Sequence, residues 1–202
     1  MSTITAARPQ RLDDVVAFPP AVLRLTESFD EVVANNPDLR IEQTVDGEVV
    51  IMSPTGGGGG VMNSRFNLDL GNWAQAFGGL VFDSSTLFRL PNGAGRSPDL
   101  AWISAERWTK LSSDQQAGYP PLAPDFVAEI RSRTDRLADQ QDKMIEYMSV
   151  GVRLGWLLDP ILRQVHVYKP GAEPIVLDDP QTVVGDDVLP GFVLQVSRIF
   201  SI

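Results

Sequence analysis

One short apolar segment, residues 126–130, contains a single glutamate, Glu129, and this feature constrains the fold most. Its length and apolar character are typical of a strand inside a sheet. A carboxylate in such a strand needs a partner, because burying an unpaired charge is costly. Two interpretations therefore stand side by side: a structural ion pair of Glu129 with Arg131 or Arg133, and a functional site.

The rest of the chain alternates short strands with amphipathic helices. Apolar residues at three- and four-residue steps predict helices over residues 61–77 and 135–150, and Thr26 is expected to cap a short helix that ends near residue 35. The glycine run at residues 56–60 lacks the Lys-Ser/Thr of a phosphate-binding loop and is predicted to be a flexible turn. Strands are predicted at residues 40–45, 48–52, 80–82, 86–90, 99–103, 126–130, 153–158, 164–168 and 174–177.

This order of elements predicts an α/β fold of the α+β mixed-sheet type, in which a central mixed β-sheet is flanked by helices. The 202 residues, of which 43% are hydrophobic, are enough for one large domain. We expect an N-terminal arm at residues 1–20 and the domain at residues 21–202. The turn Pro91-Asn92-Gly93 is expected to connect the strands at residues 86–90 and 99–103.

Composition excludes some classes of protein and partner. The chain has no cysteine, which excludes disulfides and thiolate metal sites and fits a cytoplasmic location. Residues 1–11 carry no long apolar run, so we expect no signal peptide. No stretch approaches the roughly 20 apolar residues that span a bilayer, so we expect no membrane partner. The net charge is -9, whereas proteins that bind DNA mainly through phosphates are basic. Any contact with nucleic acid must therefore be local or bridged by a metal.

A second carboxylate, Asp99, begins the strand predicted at residues 99–103. Two carboxylates on neighbouring strands can share a hard cation such as Mg²⁺, which binds one or two carboxylates and keeps several waters. Such an ion polarises a phosphodiester and lowers the pKa of an attacking water. The spacing alone is weak support, because a Pro-Asp pair often simply starts a strand.

A longer series of motifs surrounds this pair. In chain order they are RIE at residues 40–42, IMSPTG at 51–56, FDSST at 82–86, LPNG at 90–93, RSPD at 96–99, PDFVAEIRS at 124–132, KM at 143–144, Tyr147, GVRLGWL at 151–157 and DP at 159–160. With these motifs the chain resembles the Uma-type restriction endonuclease family, a member of the PD-(D/E)xK nuclease superfamily. The resemblance runs from about residue 25 to residue 200.

The resemblance implies a restriction endonuclease-like core and a metal-dependent endonuclease that hydrolyses DNA phosphodiester bonds. It also implies Mg²⁺ as the cofactor, with Mn²⁺ as a substitute, and a homodimer. Asp99 matches the aspartate of the PD half, and Glu129 matches the acidic residue of the second half. Glu42 matches an additional acidic residue that often completes the metal site.

Two positions depart from the family pattern. Arg133 stands where the family commonly has proline, and the other departure lies in the site. The lysine of the second half should stand at position 131, where this chain has Arg131. Lys143 lies on the following predicted helix, and the resemblance implies that the lysine can be relocated there. Gln140, Lys143 and Tyr147 share one face of this helix. We therefore expect Lys143 or Arg131 to position the water and stabilise charge. The alternative is a nuclease-fold module that has lost catalysis and acts in binding or protein interaction, which Arg131 and the net charge favour.

Overall fold

The computed structural model describes residues 28–201, so the predicted arm at residues 1–20 lies outside the described residues. The first described helix, α1, spans Phe29–Asn35. Its N-cap is Ser28, which forms a reciprocal capping box with Glu31. The expected cap, Thr26, lies outside the described residues and is not the residue used. Ser28 is favoured because a glutamate follows it three residues later, as a capping box requires.

Strands and helices alternate along the described chain. The strands are β1 (Arg40–Gln43), β2 (Val49–Met52), β3 (Leu80–Asp83), β4 (Phe88–Arg89), β5 (Gly95–Arg96), β6 (Leu100–Ile103), β7 (Phe126–Ile130), β8 (Leu154–Asp159), β9 (Gln164–Tyr168), β10 (Ile175–Asp178), β11 (Thr182–Val184) and β12 (Val193–Gln195). The further helices are α2 (Gly57–Phe77), α3 (Ala105–Trp108), α4 (Ser113–Ala117), α5 (Leu137–Ser149) and α6 (Val196–Phe200). Among the described residues, no helix is long and apolar enough to cross a membrane.

The main sheet has six strands in the order β10-β9-β8-β7-β6-β3. Strands β7 and β8 are parallel and are connected through α5, whereas the other neighbours are antiparallel. One face of this sheet packs against α2 through a cluster that contains Phe66, Phe126 and Trp156. The other face packs against α5 through Met144 and Tyr147. The predicted mixed sheet with flanking helices is confirmed.

A smaller antiparallel sheet, in the order β2-β1-β5-β4, lies beside the main one. Strand β5 was not predicted, and the turn at residues 91–93 connects β4 to β5 rather than to the strand that follows Asp99. The reason is the register Phe88↔Arg96, closed by a hydrogen bond from Leu90 N–H to the Ala94 carbonyl. Two-residue strands leave too short a pattern to be recognised in a sequence.

Other differences from the predictions have local causes. The glycines at residues 57–60 form the first turn of α2, and Gly60 N–H donates to the Gly56 carbonyl, so the predicted flexible turn is wrong. Tertiary packing of the apolar stripe of α2 overrides the low helix propensity of glycine. Strands β11 and β12 and helix α6 were also not predicted. They are short, and they are held by burial of Val183, Leu194 and Ile199 in the core under α2.

Gly79 provides a stability test of the turn between α2 and β3. Its φ is +83°, and a Cβ placed there would lie 2.6 Å from the Ile103 carbonyl oxygen and against the Trp102 ring. We expect Gly79→Ala to lower the free energy of unfolding by about 3 kcal/mol. Gly58→Ala, in α2 with nothing within 4 Å, should raise it by about 0.5–1 kcal/mol. Urea denaturation measures both, and equal midpoints for the two variants would contradict the prediction.

Candidate active site

Glu129 is the penultimate residue of β7, and only 5% of it is exposed. Side chains alternate along a strand, so Glu129 lies on the same face as Val127, which packs against α5. The Tyr147 hydroxyl donates to Glu129 Oε1 at 2.9 Å, and Lys143 Nζ lies 2.9 Å from the same oxygen. Lys143 and Tyr147 are one helical turn apart, so one face of α5 presents both groups to β7.

Glu42, on the smaller sheet, lies beside Glu129 and Lys143. It lies on β1 and is 2% exposed. Its Oε1 accepts hydrogen bonds from Lys143 Nζ and from the Ser97 backbone N–H, both at 2.9 Å, and its Oε2 accepts one from Arg96 Nη1 at 3.2 Å. The Lys143 ammonium therefore bridges Glu42 and Glu129, two carboxylates that belong to different sheets.

Asp99 immediately precedes β6, the neighbour of β7 in the main sheet. Its Oδ2 accepts the backbone N–H of Ile130 at 2.9 Å. Ile130 directly follows Glu129, so this bond holds Asp99 beside the strand that carries Glu129. The predicted pair thus lies on β7 and immediately before its neighbour β6, with Lys143 close enough to act on the charge of both.

Burial dominates the protonation of this cluster. It raises the pKa of Glu129 to about 7. The negative charges of Asp99 and Glu42 also raise this pKa, whereas the positive charge of Lys143 lowers it. Burial also raises the pKa of Asp99, although the Ile130 N–H and Lys143 oppose it. For Lys143, burial lowers the pKa, but Glu129 and Glu42 outweigh burial and raise it overall. The ammonium is therefore charged at every pH at which the protein would work.

Glu42 differs from the other two carboxylates. Burial acts to raise its pKa, but Lys143, the Ser97 N–H and Arg96 together lower the pKa below its ordinary value. Arg96 is itself held by Glu146, with Nη2 2.6 Å from Oε2. Glu42 is thus an ionised carboxylate whose two oxygens are both occupied by protein donors.

Arg131 is not brought into the cluster. Its Nη1 lies 2.7 Å from Asp159 Oδ2 at the end of β8, and its Nε donates to the Asp135 carbonyl. Asp159 is fully buried, so this ion pair anchors the loop that follows β7. Of the two candidate cations, the fold places Lys143 at the carboxylates. The structural alternative, in which Glu129 pairs with Arg131 or Arg133, is not what the chain adopts.

The described residues contain no group of three or more His, Cys, Asp or Glu side chains arranged to hold a metal ion. Glu42 is occupied by its donors, which leaves Asp99 and Glu129. Both bonds to Glu129 go to Oε1, so its Oε2 has no donor within residues 28–201. Two carboxylates together with water molecules are a donor set that Mg²⁺ uses. The residues therefore fit a hard divalent cation held by Asp99 and Glu129, with Glu42 holding Lys143.

Sequence reasoning assigned no role to three residues of this site. Arg96 and Ser97 hold Glu42, and the side chain of Asn63 on α2 approaches Asp99 closely enough to lower its pKa. The signal for Asn63 was a polar residue three positions before Phe66, beside the buried stripe of α2. Nothing in the sequence indicated the contacts that Arg96 and Ser97 make with Glu42, because these contacts depend on how the two sheets pack.

The mixed sheet, with its flanking helices and with carboxylates on two central strands, is a restriction endonuclease-like fold. A crystal structure of "a putative nuclease belonging to DUF820" from Anabaena variabilis ATCC 29413 superposes with a TM-score of 0.69 and 20% identity, covering 80% of this chain and 89% of that chain. At this identity the likeness shows the fold. The chain belongs to the Uma2 family, described as "Putative restriction endonuclease", whose sequence model matches residues 26–197.

A second solved structure, the DrdV–DNA complex determined by cryo-electron microscopy, is much less similar. Its TM-score is 0.38 at 19% identity, and the match covers 68% of this chain and 11% of that chain. At this TM-score the likeness carries no weight for fold or function. No curated protein matches the chain.

Proposed function

We propose that this protein is a Mg²⁺-dependent endonuclease that hydrolyses DNA phosphodiester bonds, with Mn²⁺ as a substitute ion. The observation that carries the proposal is the position of Lys143, whose ammonium lies 2.9 Å from both Glu42 and Glu129. The chain lacks a lysine at position 131, and α5 supplies one to the same carboxylate. Membership of the Uma2 family supports a nuclease-like function.

Each residue has a distinct part in the proposed reaction. Asp99 and Glu129 would hold the ion, which polarises the phosphate and acidifies the attacking water when bound. Lys143 has a raised pKa and stays protonated, so it serves as a fixed positive charge rather than as a base. It stabilises the negative charge that develops on the phosphoryl oxygens and orients the water. Glu42 positions Lys143, and Tyr147 holds Glu129 through Oε1.

DNA as the substrate must be reconciled with a net charge of -9. An acidic protein gains little from nonspecific attraction to phosphates, so we expect binding to be weak at physiological salt and confined to the site. The homodimer and the cytoplasmic location remain predictions from the sequence.

The alternative is a nuclease-fold module that binds without cleaving. The observation in its favour is that Lys143, Glu42 and Glu129 already neutralise one another in part, and no three-ligand metal group exists among the described residues. Metal binding separates the two proposals. An enzyme of this kind needs an ion at Asp99 and Glu129, whereas a binding module does not.

Titration calorimetry with Mn²⁺ tests the metal site. We expect the wild type to bind Mn²⁺ and Glu129→Gln to lose this binding, because the amide keeps the shape and removes the anionic ligand. Glu106→Gln is the matched control. Glu106 is also paired with a lysine, Lys110, but its side chain is 82% exposed. It lies on α3, which follows β6, whereas Asp99 precedes β6. If the wild type bound no Mn²⁺, or if Glu129→Gln bound it equally well, the proposed metal site would be wrong.

A further inference from the structure

Arg40, the first residue of β1, differs from the other cations around the site. Lys143, Arg96 and Arg131 are each held by buried carboxylates. The Arg40 side chain forms no ion pair within residues 28–201, and its Nε is buried without a hydrogen-bond acceptor. An unsatisfied buried donor destabilises a protein, and more so when the group is charged. A water molecule or a bound ligand can supply the acceptor that such a donor needs.

Arg40 also lines a cleft of about 330 Å³ between the end of α1, the start of β1 and the loop before β4. Three residues with hydroxyl groups line the same cleft: Ser85, Ser97 and Tyr119. At about 30 Å³ for each water, its volume equals that of about ten water molecules, which is room for a phosphate with an attached sugar. The Ser85 hydroxyl is already donated to a carboxylate, and Asp38 also lines the cleft. The cleft therefore combines one cation without an ion pair with the hydroxyls of Ser97 and Tyr119.

The cleft adjoins the carboxylate cluster. Ser97 lines it while its backbone N–H donates to Glu42, and Ser97 is two residues from Asp99. The Arg40 charge is close enough to Asp99 to lower the pKa of that carboxyl. A DNA strand whose cleaved phosphate lies at Asp99 would therefore bring a neighbouring phosphate to this cleft.

We propose that Arg40 binds a phosphate of the DNA strand in this cleft, next to the phosphate that is cleaved. The inference rests on the proposed function and names the residue that holds the strand. A guanidinium suits this task, because its planar fork pairs with two phosphate oxygens and it never loses its charge. It also explains how an acidic protein can hold DNA, since one unpaired cation beside the site provides a local contact that the net charge does not.

The test measures DNA binding without cleavage, by fluorescence anisotropy of a short fluorescein-labelled duplex and a single strand in EDTA. We expect Arg40→Gln to weaken binding by about tenfold. We also expect the slope of log affinity against log salt, between about 50 and 200 mM, to fall by about 1. Arg40→Lys should keep the salt slope, because it keeps the charge. Circular dichroism of each variant checks that it is folded.

Arg153→Gln is the matched control. Arg153 directly precedes β8, and the parallel register of β7 and β8 places it at the end of the sheet opposite Glu129. Its side chain is 50% exposed, and the change removes the same charge. If Arg40→Gln bound DNA with the affinity and salt slope of Arg153→Gln, Arg40 would be only a counter-ion of Asp99 and the inference would be wrong.

The remaining outcomes separate this inference from the proposed function. Weaker binding by Arg40→Gln, together with a wild type that never cleaves DNA, would support Arg40 and overturn the endonuclease. A wild type that cleaves DNA while Arg40→Gln binds normally would overturn Arg40 alone. A wild type that neither binds either DNA in EDTA nor cleaves DNA in Mg²⁺ would overturn both.

Discussion

Replacing Glu129 by glutamine is expected to lower the rate of Mg²⁺-dependent DNA cleavage by about 10³-fold. The amide has the same shape and can still accept the Tyr147 hydroxyl, so the packing of β7 against α5 is retained. What is lost is the negative charge that would hold the ion. Asp99→Asn should have an effect of similar size, since its backbone bond from Ile130 can also be kept.

Cleavage of supercoiled plasmid and of single-stranded DNA measures these rates, with EDTA as the metal-free blank. The double variant of Asp99→Asn and Glu129→Gln should be no slower than either single variant, because groups that act on one ion are strongly non-additive. Glu106→Gln is the control and should cleave at the wild-type rate, since Glu106 and its partner Lys110 are both exposed. Equal rates for the wild type and both site variants would show that any cleavage comes from elsewhere.

Replacing Lys143 by methionine is expected to lower the free energy of unfolding by about 3–5 kcal/mol near pH 8. The Lys143 side chain is 10% exposed and neutralises Glu42 and Glu129, which are themselves almost fully buried. Removing the ammonium leaves the buried Glu129 without a counter-ion, and it leaves Glu42 with Arg96 alone. The free energy of unfolding falls because this buried negative charge is no longer neutralised, so adding Glu129→Gln to the variant should restore part of the stability.

Lys110→Met serves as the control for this prediction. Lys110 and Glu106 are an exposed pair one helical turn apart, and exposed pairs contribute at most about 1 kcal/mol. Urea denaturation of the three variants at one pH gives the comparison. If Lys143→Met were as stable as Lys110→Met, the Lys143 ammonium would not be the group that neutralises the buried glutamates.

The pH dependence of the Lys143→Met variant has a definite sign. Burial holds the pKa of Glu129 at about 7 in the folded protein, above its ordinary value of 4.5. A carboxyl whose folded-state pKa is raised contributes stability that is fully present below 4.5 and is lost as the pH rises through about 7. Without Lys143 the pKa of Glu129 rises further. The stability of the variant should therefore fall more steeply than that of the wild type between pH 5 and 8, and denaturation midpoints across this range measure it.

The sequence by itself determined two of the strands completely. The predicted bounds of Phe126–Ile130 and Gln164–Tyr168 are those of β7 and β9, because the first is an apolar run and the second alternates polar residues with valines. It also determined that Glu129 needs a partner, since a carboxylate within such a strand is buried whatever the topology. The motif series then indicated the family, which the match over residues 26–197 confirms.

Only the tertiary structure decided which cation Glu129 meets. Arg131 is two residues from Glu129 and was the nearer candidate in the chain, yet Asp159 at the end of β8 holds it. Lys143 reaches the site because the parallel connection from β7 to β8 lays α5 across the sheet face on which Glu129 lies. Glu42 arrives from a separate sheet. Such contacts between distant segments leave no periodicity in the chain, because they depend on how the elements pack rather than on the elements themselves.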